Sequence, residues 1–126
     1  TEQIDNNIFK TMKRYLPGPY TFILKSNKYV QKFFKNNKEE IGVRIPKSEI
    51  LDALQEFLEA PLISTSLNTH NGVQNYFTDP DEIENVFQHT VDMLLDGGNG
   101  DNAESTVLDC TGEEIELIRE GKGQVD

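Results

Sequence analysis

The spacing of apolar residues switches repeatedly between a helical and a strand-like period along this chain, and this alternation constrains the fold most. Residues 3–15 carry apolar side chains at helical spacing, and Pro17-Gly18-Pro19 ends that pattern. The next six residues, 20–25 (YTFILK), are rich in β-forming side chains and predict a strand. Because helices and strands continue to alternate, the sequence predicts an α/β domain with a mixed sheet and flanking helices.

Turn and capping signals give the remaining elements. Ser48 is a predicted N-cap, and Asp79-Pro80 combines a cap with a proline at the first helical position. These signals predict helices over 28–34, over 49–59 and from residue 80 onward. The strand-like runs predict strands over 41–45, 61–64, 93–95, 105–110 and 114–119, the last two as an antiparallel hairpin.

Composition places the chain among soluble globular proteins. Its 126 residues are 36% hydrophobic and 27% charged, which fits one domain over residues 1–126 with a real core. No apolar run approaches membrane-spanning length, so no membrane partner is expected. The single Cys110 excludes an internal disulfide, favours a reducing, cytoplasmic location and is interpreted as a structural thiol. The two histidines and one cysteine give no metal-ligand spacing.

Charge is distributed unevenly along the chain. The first 48 residues carry ten Lys/Arg and four Asp/Glu, net +6, whereas the whole chain has a net charge of −10. A basic segment with interleaved aromatic residues is a candidate RNA-binding surface, although a solvated helix face with its apolar residues turned into the core explains it equally well. The candidate RNA-binding residues are Lys25, Lys28, Lys32 and Lys35.

The run Pro61–Asn68 (PLISTSLN) begins apolar and ends with hydroxyl and amide side chains. A buried strand that leads into a polar loop at the sheet edge has this pattern, and such an edge is where ligands bind in open α/β sheets. Ser64, Ser66 and Asn68 would offer uncharged hydrogen-bonding groups to a phosphate, ribose or carboxylate. A turn in which the hydroxyls satisfy their own backbone is the simpler alternative.

Two arginines add positive charge to this picture. Arg44 lies between apolar residues of a predicted strand, and Arg119 ends the last one. A guanidinium at either place faces solvent or serves an anion. Two arginines, a hydroxyl cluster and no acid–base pair indicate anion and nucleotide binding rather than hydrolysis.

Six motifs occur in the order in which the YrdC family has them, over nearly the whole chain. They are Leu16–Thr21 (LPGPYT), Ile41–Pro46 (IGVRIP), Pro61–Asn68, Asp96-Gly97-Gly98, Ser105–Asp109 (STVLD) and Ile118–Gly121 (IREG). The chain therefore resembles the YrdC family, and residues 20–25 together with Leu67 resemble its YciO-like branch in particular. The synthase branch usually has alanine at the position of Leu67.

The resemblance implies a twisted, open α/β sheet around a positively lined pocket. Synthase members convert threonine, bicarbonate and ATP into threonylcarbamoyl-AMP and pyrophosphate, for threonylcarbamoyladenosine in tRNA. Position by position, the resemblance implies that Thr21, Arg44 and Ser64 bind threonine, and that Ser66, Asn68, Ser105 and Arg119 bind the nucleotide. ATP or AMP would be an exchangeable substrate, with or without Mg²⁺, and no tightly bound cofactor or catalytic side chain is expected.

Two motifs of the family are missing from this chain. The Pro-Thr-Asp-Thr-like strand and the Lys-x-Arg motif that open the family domain have no counterpart here. We therefore expect a domain that lacks its N-terminal portion, and a chain that is inactive by itself. Three hypotheses stay open: a synthase-type site, a YciO-like protein that binds double-stranded RNA or tRNA without synthase activity, and a relic that folds but binds nothing.

Overall fold

The computed structural model describes residues 4–35, 37–69 and 76–126. These group into two compact units. The first, here called the sheet unit, comprises the residues up to Lys47 together with Glu104–Asp126. The second, here called the helical unit, is Ser48–Ala103. Each unit is described by itself below.

The described elements follow the predicted alternation. The sheet unit contains α1 (Asn6–Tyr15), β1 (Tyr20–Lys25), α2 (Lys28–Phe34), β2 (Glu40–Val43), β3 (Thr106–Asp109) and β4 (Glu116–Arg119). The helical unit contains α3 (Glu49–Phe57) and α4 (Pro80–Phe87). Both predicted caps are confirmed, since the Ser48 hydroxyl accepts a hydrogen bond from Leu51 N at 3.3 Å and the Asp79 carboxylate accepts one from Asp81 N at 3.0 Å.

The four strands form one mixed sheet in the order β2-β1-β3-β4. Strand β1 pairs antiparallel with β2 and parallel with β3, and β3 and β4 form the predicted antiparallel hairpin. This arrangement confirms the α/β class and the mixed sheet with flanking helices.

One face of the sheet forms the core. Phe22 is fully buried, and Leu24 and Leu108 are nearly so. Helix α1 covers this face with the apolar stripe that its 3.6-residue spacing predicts, Ile8 and Met12 among it. Since side chains alternate across a strand, the neighbouring residues of β1 and β3 point to the opposite face.

Two predicted strands are wrong. Residues 61–67 form no strand and are exposed, and residues 93–95 are likewise irregular. A strand needs a partner, and the run 61–64 has only Leu62 and Ile63 between a proline without an N–H group and three hydroxyl residues. Leu94 and its neighbours instead line an apolar depression within the helical unit.

Candidate functional site

The face of the sheet opposite the core carries a polar cluster. Thr21 pairs in register with Val107, which pairs in turn with Arg119, so these three residues lie on one face. Ser105 precedes β3 by one residue and shares the Val107 side of the strand. The same face opens into a shallow depression of about 640 Å³ lined by Thr21, Ile23, Gly42 and Val107.

Thr21, Ser105 and Arg119 are joined by hydrogen bonds. The Thr21 and Ser105 hydroxyl oxygens lie 2.8 Å apart. Arg119 donates from Nε and Nη2 to the Ser105 carbonyl oxygen at 3.0 and 2.9 Å, and from Nη2 to Ser105 Oγ at 3.2 Å. Three residues that are 84 and 14 positions apart in sequence thus form one continuous network.

This network leaves donors for a ligand. The two hydroxyls have two hydrogens between them, and the Thr21–Ser105 contact uses one. In its contact with Arg119, Ser105 Oγ accepts a hydrogen bond and uses no hydroxyl hydrogen. The second hydroxyl hydrogen therefore remains for a ligand, whether Thr21 donates to Ser105 or Ser105 to Thr21. Arg119 Nη1 donates to no residue within the described part of the chain, and the Arg119 side chain is 39% exposed. The cluster therefore presents a hydroxyl donor and a guanidinium edge, which together suit a phosphate or carboxylate.

The backbone after Arg119 holds the cluster in place. The buried Thr106 hydroxyl donates to Gly123 O at 2.5 Å and accepts from Gly121 N at 3.0 Å, while Lys122 N donates to Glu104 O at 2.8 Å. A Cβ on Gly121 would come within 2.4 Å of the Glu104 carbonyl oxygen. Gly121 is therefore required for the close approach of the two segments.

Glu104 is a member of this site that the sequence analysis missed. Its Oε2 lies 3.5 Å from Arg119 Nε, and its side chain is 34% exposed. Glu104 directly precedes the family motif Ser105–Asp109, and this adjacency is the only feature of the sequence that indicates a place in the site.

Arg44 lies at the end of β2. The pairing of β1 with β2 ends at Phe22–Val43, and one step further the register position opposite Thr21 belongs to Arg44. Arg44 is exposed, and within the described part of the chain its guanidinium has no hydrogen-bond or ion-pair partner. The register therefore puts Arg44 on the polar face, beside the strand position of Thr21.

Ser64, Ser66 and Asn68 belong to the helical unit, and all three are exposed. Asn68 forms an isolated antiparallel bridge with Tyr76, whereas Ser64 and Ser66 hydrogen-bond to no described residue. The simpler alternative, a turn in which these hydroxyls satisfy their own backbone, is therefore not formed among the described residues. Leu67 lines the apolar depression of this unit, about 300 Å³ in volume, with Ile83 and Phe87.

The four candidate RNA-binding lysines are exposed. Lys28 and Lys32 lie one turn apart on α2, next to Tyr29 and Phe33, which are 78% and 52% exposed. Of the two alternatives for this segment, the one in which its apolar residues turn into the core does not hold for these two rings. Lys35 ends α2 in a left-handed conformation with φ 52°.

Asp109 and Cys110, at the end of β3, have shifted pKa values. Burial raises the pKa of the Cys110 thiol to about 11, with smaller contributions from the charges of Asp109 and Asp5. The Thr111 hydroxyl and then the Thr111 N–H, which bind Asp109 Oδ1 at 2.6 and 2.9 Å, lower the pKa of the Asp109 carboxyl. A buried thiol with a raised pKa is a packing residue, as predicted, rather than a nucleophile.

Across residues 4–35, 37–69 and 76–126, no cluster of three or more His, Cys, Asp or Glu side chains could hold a metal ion. Among those same residues, no helix has the length and apolarity to span a bilayer.

Comparison with known proteins identifies the family. A family model for Sua5, YciO and YrdC, described as "Telomere recombination", matches residues 1–121. The chain is 38% identical over 123 residues to Escherichia coli "Uncharacterized protein YciO", covering 97% of this chain and 59% of that protein. The E. coli YciO crystal structure matches with a TM-score of 0.83 over 96% of this chain.

Two relatives carry more specific names. A Methanocaldococcus jannaschii "Putative threonylcarbamoyl-AMP synthase" is 34% identical over 113 residues, 89% of this chain and 51% of that protein. The crystal structure of P. abyssi Sua5 complexed with L-threonine matches with a TM-score of 0.79 at 28% identity, covering 96% of this chain and 35% of Sua5. The chain spans about three-fifths of the length of the YciO relatives it matches. With a family model covering residues 1–121, the chain belongs to the Sua5/YciO/YrdC family.

Proposed function

We propose that the sheet unit provides the phosphate- and carboxylate-binding part of a threonylcarbamoyl-AMP synthase-like site. The observation that carries this proposal is the Thr21–Ser105–Arg119 network on the open face of the sheet. In this proposal Arg119 and Ser105 bind the nucleotide phosphate, and Thr21 and Arg44 bind threonine, with Arg44 on its carboxylate. The named relatives support the ligand class, since one is a putative synthase and another was solved with L-threonine.

The proposed reaction requires positioning and charge neutralisation. The threonine nitrogen forms a C–N bond with the carbon of bicarbonate, and water leaves. An oxygen of the resulting carbamate attacks the α-phosphorus of ATP, the bond from that phosphorus to the bridging oxygen breaks, and pyrophosphate departs. Arg119 would neutralise charge that develops on the α-phosphate, and the free hydroxyl hydrogen of the Thr21–Ser105 pair would donate to a ligand oxygen. Mg²⁺ would arrive on the phosphates of the nucleotide.

Ser64, Ser66 and Asn68 have a different proposed contribution. The helical unit contains eleven Asp/Glu and no Lys or Arg, so it offers an anion no positive charge. We propose that these three side chains contribute neutral hydrogen bonds to substrate binding rather than charge neutralisation.

The test measures pyrophosphate release from ATP with and without threonine and bicarbonate. It uses this chain and, in parallel, the chain fused to the portion of YciO that it does not span. We expect the fusion to release pyrophosphate only when both co-substrates are present. Arg44→Ala and Arg119→Ala should each lower the rate of release by at least about a hundredfold, because each removes a charge-assisted contact. Release that is unchanged in both variants would contradict the proposed site. The chain alone is expected to release none.

Double-stranded RNA binding is the second candidate function, and the exposed surface of α2 favours it. Lys28 and Lys32 offer charge to phosphates, and the neighbouring Tyr29 and Phe33 rings are exposed. Lys25 and Lys35 extend the positive charge beyond both ends of the helix.

Fluorescence anisotropy with a labelled RNA duplex tests this candidate. Lys32→Gln combined with Lys35→Asn should weaken binding about tenfold and reduce its salt dependence by about two counterions. Asn is chosen at position 35 because it tolerates the left-handed backbone. Lys10→Gln with Lys13→Gln on α1 is the matched control and should leave α2-specific binding largely unchanged. An affinity that does not respond to salt would exclude this function.

A further inference from the structure

The side chain of Glu104 is the feature of the site that the proposed function leaves without a role. Its carboxylate faces Arg119 with 3.5 Å between Oε2 and Nε. That separation is longer than a good charge-assisted hydrogen bond, and the Nε hydrogen is already directed at the Ser105 carbonyl at 3.0 Å. Glu104 therefore acts on Arg119 through its charge rather than through a strong directional bond.

The position of Arg119 does not depend on Glu104. Two hydrogen bonds to the Ser105 carbonyl and one to the Ser105 hydroxyl fix the plane of the guanidinium. The backbone contacts of Gly121 and Lys122 with residues 104 and 106 fix the chain beyond it. A change confined to the Glu104 carboxylate thus removes one negative charge and leaves these anchors in place.

We propose that Glu104 is an internal counter-ion, which neutralises the charge of Arg119 until a nucleotide phosphate replaces it. This inference rests on the proposed function, because it concerns the same phosphate site. An arriving phosphate competes with the carboxylate for the guanidinium, so Glu104 lowers the affinity for the nucleotide and eases its release. Both side chains are partly exposed, so water and salt weaken the ion pair, and the effect is moderate.

Isothermal titration of AMP into the chain tests this proposal. Glu104→Gln should bind AMP about threefold more tightly than the unchanged chain at low salt, and the gain should shrink at about 0.5 M salt because an exposed ion pair is screened. Glu104→Ala should give the same direction without an amide that can bond to the guanidinium. Glu116→Gln is the matched control, because it makes the same charge change at an exposed position on β4.

The salt response separates a charge effect from a structural one, since a mere repacking of residue 104 would not produce a gain that salt removes. An unchanged or weaker affinity in both Glu104 variants, while the unchanged chain binds AMP, would overturn this inference and leave the proposed function standing. A gain of the same size in Glu116→Gln would also overturn it. If the unchanged chain and all variants fail to bind AMP, the phosphate site itself is wrong and the counter-ion role falls with it.

Discussion

The sheet unit and the helical unit differ in how each holds its candidate ligand-binding residues. In the sheet unit, Thr21, Ser105 and Arg119 are tied to one another and to a backbone with a fully buried core beneath it. In the helical unit, Ser64 and Ser66 are exposed and bond to no described residue. The sheet unit also holds all twelve Lys and Arg of the chain.

This difference indicates that a pre-organised anion site can form within one unit. Rigid donors cost little reorganisation when a charged ligand arrives, whereas loose hydroxyls must be ordered by the ligand. We therefore expect the sheet unit to supply most of the phosphate affinity. The following predictions test this difference in order of decreasing effect.

The core of the sheet unit should be far more sensitive to truncation than the surface of the helical unit. Phe22→Ala removes a fully buried ring and should cost about 3–5 kcal/mol of unfolding free energy in urea titrations. Phe57→Ala, at a ring that is 86% exposed, should cost less than about 0.5 kcal/mol. If Phe22→Ala does not fold, Phe22→Leu gives a smaller loss in the same direction. Equal losses at residues 22 and 57 would contradict the account of the core.

Stability of the sheet unit should fall at alkaline pH through Cys110. Its pKa is about 11 in the folded chain against 9.0 for an ordinary thiol, so the unfolded chain loses this proton first as the pH rises. The contribution is complete below about pH 9 and is lost between about pH 9 and pH 11, a change on the order of 2 kcal/mol.

The measurement is urea unfolding at several pH values for the unchanged chain and for Cys110→Ala. Comparing the two removes the titration of lysines and tyrosines, which both chains share. The unchanged chain should lose more stability than the variant on going from pH 8.5 to pH 11. Parallel pH profiles would show that the thiol is not buried as described.

The close approach at Gly121 should be specific to that glycine. Gly121→Ala puts a Cβ within 2.4 Å of the Glu104 carbonyl oxygen, so either the segment shifts or the chain is strained, at about 1–3 kcal/mol. Because that shift moves Arg119, AMP affinity should fall as well. Gly112→Ala is the control, since its Cβ would meet nothing closer than 3.8 Å. If Gly121→Ala binds AMP as tightly as the unchanged chain, the close approach at Gly121 is not needed to hold Arg119 in the binding site.

The smallest effect is expected at the cap of α3 in the helical unit. Ser48→Ala removes the acceptor for Leu51 N and should cost about 1 kcal/mol. Amide hydrogen exchange should accelerate in the first turn of α3, while the β1 and β3 amides keep their protection. Loss of protection in β1 would mean that the two units unfold together.

Local signals predicted most of the fold. The helix at 80–87 follows from Asp79-Pro80, and the sheet hairpin follows from two alternating runs joined by Thr111-Gly112. The run 61–64 was predicted as a strand and is not, because apolar character alone does not provide a pairing partner. Likewise 93–95 packs around a depression instead of joining a sheet.

The site was only partly accessible from the sequence. The motifs identified Thr21, Ser105 and Arg119, but their mutual bonds depend on a parallel pairing between strands about 85 residues apart, which no local pattern encodes. Glu104 was missed because an acidic residue beside a hydroxyl motif has no distinctive spacing. The exposure of Tyr29 and Phe33 was one of two open alternatives, because the sequence pattern does not decide whether aromatic residues at helical spacing face a core or a ligand.

An NMR titration of the ¹⁵N-labelled chain with AMP would show directly which residues carry the phosphate site. The largest shift changes should fall on the Thr21 and Ser105 amides and on the Arg119 Nε–H, and should exceed any at Ser64 and Ser66. Changes confined to residues 61–69, with Arg119 Nε–H unmoved at saturation, would contradict the claim that the sheet unit carries the phosphate site.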